Sequence, residues 1–71
     1  MRKFMVVTPS VTYALKGRDA LRRAGFPASA ERRSRQNGAG CGYGIVTSGD
    51  IIKIERVLSD AAVKILEIND Y

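Results

Sequence analysis

Residues 4–27 read FMVVTPSVTYALKGRDALRRAGFP, a passage from strand through helix to turn. Phe4 to Val7 is a short apolar run of strand type, and Thr8-Pro9-Ser10 ends it with residues suited to a turn and a helix cap. From Ser10 as N-cap, Val11, Ala14, Gly17, Leu21 and Ala24 recur at steps of three and four, while Lys16, Arg18, Arg22 and Arg23 fall mostly on other faces. Gly25 sits where a helix C-cap belongs. Gly17 in mid-helix costs about 1 kcal/mol relative to alanine, which is tolerable where the helix must approach a sheet closely.

The chain continues in the same idiom. Phe26-Pro27 opens a weaker segment, residues 28–33, whose small and polar residues alternate as on an edge strand. Tyr43 to Thr47 reads as the next strand. Thr47-Ser48-Gly49-Asp50 reads as a T-x-x-D capping box before Ile51, Ile54, Leu58 and Ala61 at helical spacing. Val63 to Ile68, VKILEI, alternates as a fourth strand. The order βαββαβ, with no linker, predicts one domain over residues 1–71. Its fold class is α+β: a ferredoxin-like sandwich with a four-stranded antiparallel sheet and two helices on one face. The first two strands are then parallel, with the third inserted antiparallel between them.

Composition narrows the chemistry. A chain of 71 residues, 45% of them hydrophobic, is near the size where one core just suffices. Ordering it costs on the order of 100 kcal/mol of conformational entropy, so few apolar positions can be left exposed. The chain has no histidine, which removes Cys-His nucleophiles, Ser-His-Asp triads and imidazole metal ligands together. No spacing suggests a metal site, and the expected chemistry needs neither metal nor organic cofactor. One cysteine cannot form an internal disulfide, and the four-residue apolar run near the start is too short for a signal-peptide core or a membrane span. Both readings predict a soluble cytoplasmic protein without a membrane partner.

Charge is unevenly distributed. Residues 1–35 carry nine Lys/Arg against Asp19 and Glu31, and residues 36–71 carry three against five acids, giving +7 and −2. Such a balance suggests anionic partners, although a solvated basic face explains many charge runs.

The chain's single thiol, Cys41, lies in QNGAGCGYG, residues 36–44, between Gly40 and Gly42. In the predicted topology this loop and Thr8-Pro9-Ser10 emerge at the same end of the sheet. The first helix would point its free N–H groups and positive dipole end toward the cysteine. Arg35, with Arg32 or Arg33, would add positive charge. A thiol with a reference pKa near 8.5 is about 3% thiolate at pH 7, and a shift to about 7 makes it half thiolate. Gly40 and Gly42 would permit positive φ angles, expose N–H groups to an anion and open the sulfur to another molecule.

Other readings stand beside this one. A lone cysteine is often a passive hydrophobe. The arginines also suit the guarding of an edge strand, Ser10 is at least a cap, and Tyr13, Tyr43 and Tyr71 read as packing or surface residues. The strand order is also that of the RNA-recognition fold, for which Phe4 and Tyr43 are the candidate stacking aromatics, without the K/R-G-F/Y-G/A-F motif. A third class is a small interaction domain pairing through its sheet edge.

The segments TPSVTYALKGRDALRRAGFP and RQNGAGCGYGIV carry a pattern: an apolar strand, a T/F-x-S turn, a helix ending in L-x-x-A-G-hydrophobic-P, an arginine before a small-residue turn, and G-C-G opening a strand. In this the chain resembles the selenium/sulfur carrier family, formerly a domain of unknown function, over nearly its whole length. The resemblance implies a small prokaryotic protein that carries sulfur or selenium between donor and acceptor proteins. It implies Cys41 as the carrier, Gly40 and Gly42 as its loop, Arg35 as the matching arginine and Ser10 as the matching turn serine. The chain departs from the pattern at Gly38 and Ala39, where serines are frequent, and at Ser34, where proline is frequent. Without those hydroxyls, backbone N–H groups are left to stabilise a bound chalcogen.

Overall fold

The computed structural model describes residues 2–34 and 41–71, and the side chains of these other than Arg33, Ser34 and Cys41. Four strands and two helices follow in the order β1 (Lys3–Thr8), α1 (Val11–Arg23), β2 (Ala28–Ser34), β3 (Cys41–Ser48), α2 (Ile51–Asp60), β4 (Glu67–Asp70). The sheet order is β2-β3-β1-β4, with every neighbouring pair antiparallel. This is the α+β, ferredoxin-like arrangement read from the sequence, with β1 and β2 parallel and β3 between them.

One row of residues organises the core. Val6 of β1 lies opposite Ile45 of β3 and Ile68 of β4, and Ile45 lies opposite Ala30 of β2. Residues directly opposite share a face, so Phe4, Val6, Ala28 and Ile45 project together. They form one buried cluster with Ala14 and Leu21 of α1 and Ile54 and Leu58 of α2. Both helices therefore cover the same side of the sheet. Gly17 permits the closest approach: a Cβ there would overlap Cδ1 of Ile45 and come within 3.0 Å of Cδ2 of Leu58.

Local signals place the helix ends. The Ser10 hydroxyl accepts from the Tyr13 N–H at 3.4 Å and caps α1. Gly25 takes φ +91°, its N–H donates to Arg22 O, and Phe26 N–H reaches back to Leu21 O at 2.9 Å. That pair of bonds is a Schellman closure. α2 closes in the same way, with Ala62 N–H on Ser59 O and Val63 N–H on Leu58 O, but here a non-glycine residue, Ala62, takes the left-handed φ of +59°.

Two sequence expectations are corrected. The N-cap of α2 is Asp50 alone, whose carboxylate accepts from Ile52 N–H at 2.9 Å. Thr47 is not a capping-box partner: it remains in β3, buried, and its hydroxyl donates to Pro27 O at 2.7 Å. The fourth strand begins at Glu67 rather than Val63 and runs on to Asp70. The closure of α2 takes up the Val63 N–H, and the chain first meets β1 where Leu66 N–H reaches Val7 O at 2.8 Å. The first four residues of VKILEI thus form a connector that buries Val63 and half-buries Ile65 as it returns to the sheet, and the last two, Glu67 and Ile68, open β4.

Three substitutions test this account by thermal or denaturant unfolding. Gly17→Ala is expected to lower stability by about 1–2 kcal/mol although alanine favours helix, because overpacking against Ile45 outweighs the propensity gain. At the helix ends, Gly25→Ala is expected to lower stability by about 1 kcal/mol and Ala62→Gly to raise it by about 0.5–1 kcal/mol.

Candidate functional site

The end of the sheet that carries Cys41 is built from three chain segments. The ladder between β1 and β3 stops at Thr8 opposite Tyr43, while that between β2 and β3 runs two pairs further, through Gly42 opposite Arg33 to Cys41 opposite Ser34. Strand rise puts the Cys41 backbone about 7 Å beyond the Thr8 row. Cys41 and Gly42 are therefore the first two residues of a strand, a correction to their placement in a loop. The reason is that β2 and β3 continue to pair past the end of β1.

Thr8 holds this end together. It is completely buried, and its hydroxyl lies 3.0 Å from Tyr43 O and 3.1 Å from Ser10 O. One donor is thus shared between β3, two residues from Cys41, and the residue that caps α1. Of the expected juxtaposition of Thr8-Pro9-Ser10 with residues 36–42, the bond to Tyr43 places Thr8 two residues from Cys41, and residues 36–40 lie outside the described residues. Beyond Ser10, the first N–H groups of α1 have no partner within the helix, and its positive dipole end is at this end of the sheet. No acidic residue occupies the first turn.

Other predicted site residues divide sharply. Ser10 is at this end and acts as a cap. Gly42 lies in the ladder without a positive φ, and a Cβ there would meet nothing within 4 Å. The positive φ that Gly42 would permit is therefore not used, and what its missing side chain provides is open space. Arg35 and Gly40 lie outside the described residues, as do the side chains of Arg33 and Cys41. Arg32 is exposed, one residue before Arg33 on β2 and opposite Tyr43.

Sequence reasoning passed over Thr8 and Gly44. Thr8 looked like ordinary turn chemistry; the available signal was a hydroxyl at the last strand position directly before Pro-Ser. Gly44 is buried, and a Cβ there would overlap the sulfur of Met5, which lies across the helix-free face. That face answers a further question. Phe4 and Tyr43, the candidate base-stacking residues, pack with the helix-side core. The helix-free face instead carries Met5, Val7, Gly44, Val46, Ser29, Glu31, Glu67 and Asn69, as alternation along the paired strands requires. A shallow depression of about 490 Å³ there is lined by Met5, Glu31, Arg32, Glu67, Asn69, Asp70 and Tyr71, and so takes in Arg32 but neither Ser10 nor Gly42.

Among the described residues no group of three or more His, Cys, Asp or Glu is disposed to hold a metal ion. Among them, too, no helix is long and apolar enough to cross a membrane.

Thr8→Val keeps the shape of the side chain and removes its hydrogen bond, so unfolding measurements are expected to show a loss of about 1–2 kcal/mol. Gly42→Ala is expected to leave stability within about 0.5 kcal/mol, because the site is open and the backbone is extended.

Comparisons with protein-family models, with curated proteins and with solved structures found no match to this chain. The resemblance described above therefore rests on its quoted segments and assigns no family.

Proposed function

We propose that Cys41 carries a sulfane sulfur or selenium atom between a donor and an acceptor protein. The observation that supports this reading is the shared Thr8 hydroxyl, which joins the capped start of α1 to β3 two residues from Cys41. A positive helix end favours a thiolate over a thiol, and thiolate is the nucleophilic form. In the loading step the Cys41 thiolate attacks the outer sulfur of a donor persulfide. The donor S–S bond breaks, a new S–S bond forms on Cys41, and the donor departs as thiolate. Discharge to an acceptor thiolate repeats the exchange in reverse, and the selenium version passes through a selenosulfide. No net oxidation occurs, and the reaction requires no metal or organic cofactor. At 71 residues the chain suits a shuttle between partners better than a stand-alone enzyme. The reducing cytoplasm is the compartment where its thiol would persist.

The RNA-binding alternative is weakened by the positions of Phe4 and Tyr43, since that mode of recognition stacks bases on aromatics of the open sheet face.

The reading is tested by the rate of Cys41 alkylation as a function of pH, on the folded protein and in denaturant, with adducts followed by mass spectrometry. The folded thiol is expected to titrate well below the denatured one, which should lie near the reference value of about 8.5. Incubation with a persulfide donor is then expected to add one sulfur to the wild type and none to Cys41→Ser, with the fold of the variant unchanged. An unshifted or raised folded-state titration, or loading that survives in Cys41→Ser, would refute the carrier role.

A further inference from the structure

β2 is an edge strand, and the direction of its main-chain groups follows from bonds at the opposite edge. Leu66 N–H donates to Val7 O and Tyr71 N–H donates to Lys3 O, so the odd residues of β1 face β4 and the even ones face β3. Alternation carried across β3 then directs Ser29, Glu31 and Arg33 inward to the ladder, and Ala28, Ala30, Arg32 and Ser34 outward. The ladder from Ala28 to Ser34 is continuous, with no bulge, and Pro27 precedes the strand. At one end the outward carbonyl of Ala28 accepts from Arg22 Nε at 2.8 Å. Towards the other end, Ala30 has no strand on its outer side.

α1 supplies an apolar stripe beside this edge. Val11, Leu15, Arg18 and Arg22 follow one another at steps of four, three and four, which places them on one side of the helix. The Arg22 bond to Ala28 shows that this side overhangs β2, while Gly17 faces Ile45 and Leu58 on the sheet and α2. Val11 and Leu15 are 40% and 39% exposed there.

We propose that two copies of this chain pair through the outer edge of β2, antiparallel about a two-fold axis near Arg32, forming a continuous eight-stranded sheet. A two-fold at that position sets Glu31 of each copy opposite Arg33 of the other, so the strand is self-complementary in charge on the helix-free face. Ala30 lies opposite Ser34, two small residues that allow close backbone approach. On the other face the two α1 helices turn their Val11 and Leu15 sides toward each other, withdrawing apolar surface from water. Arg32 meets its own copy on the axis, a like-charge contact that opposes pairing and is offset by the two Glu31–Arg33 pairs beside it. The arginines that look like guards against foreign strands thus act, together with Glu31, as a filter for self-pairing.

The test is sedimentation of the full chain over a concentration series in the presence of reductant. The wild type is expected to pass from the 7.8 kDa monomer to twice that mass. Leu15→Glu, at an exposed site outside the core, is expected to weaken association at least tenfold. Ala30→Pro removes an outward N–H without taking a bond from the ladder to β3, and is expected to abolish association while circular dichroism remains that of the folded chain. A monomer persisting to about 1 mM, a dimer indifferent to Leu15→Glu, or one that disappears on adding reductant overturns the proposal.

Discussion

The absence of a side chain at Gly17 is the constraint on which the rest of the structure depends. It lets α1 settle onto Ile45, the residue at the centre of the sheet, with Leu58 of α2 close alongside. Only at that distance do Ala14 and Leu21 join the cluster made by Phe4, Val6, Ile54 and Leu58. A domain this small has one core and little surplus, so a helix lifted by even one methyl group would thin the packing along its whole length. The intrinsic cost of glycine in a helix is accepted because dense packing returns more than helix propensity loses.

The same placement carries over to the end of the sheet where Cys41 begins β3. α1 held close to the sheet keeps Ser10 within reach of the Thr8 hydroxyl, and Thr8 in turn holds the Tyr43 carbonyl. A second buried threonine, Thr47, plays a similar part at the opposite end of β3, tying it to Pro27 ahead of β2. β3 is thus fastened by hydroxyl to carbonyl bonds near both ends, and its interior is packed through Ile45. Each such bond contributes modestly to net stability and also fixes the relative position of the two segments it joins.

The two faces of the sheet divide the possible functions. The helix-covered face absorbs the aromatic residues of the strands, Phe4 and Tyr43, into the core. The other face presents methionine, valine, serine, asparagine and carboxylates along its strands, with Tyr71 beside its depression. The exposed apolar side chains of α1 lie instead along the β2 edge, and the glycine opening at Gly42 lies at the Cys41 end.

Much of this was legible in residue order, for local reasons. Apolar runs, helical spacing after Ser10 and before Ala61, and Gly25 after Arg22-Arg23-Ala24 act within a few residues of themselves, so the sequence alone determined βαββαβ, both caps of α1 and the need for a close contact at Gly17. Tertiary structure decided what depends on residues far apart in the chain. Thr47, the end of the expected strand, gave its hydroxyl to Pro27 and not to the start of α2 because β2 returned beside it, and Val63 to Leu66 became a connector because the closing turn of α2 used the Val63 N–H before β1 was within reach. Cys41 entered a strand because β2 and β3 outrun β1. Thr8 shows the same distinction most directly: its sequence neighbours make it a turn residue, and the carbonyl of Tyr43, 35 positions away, makes it the fastening of the Cys41 end.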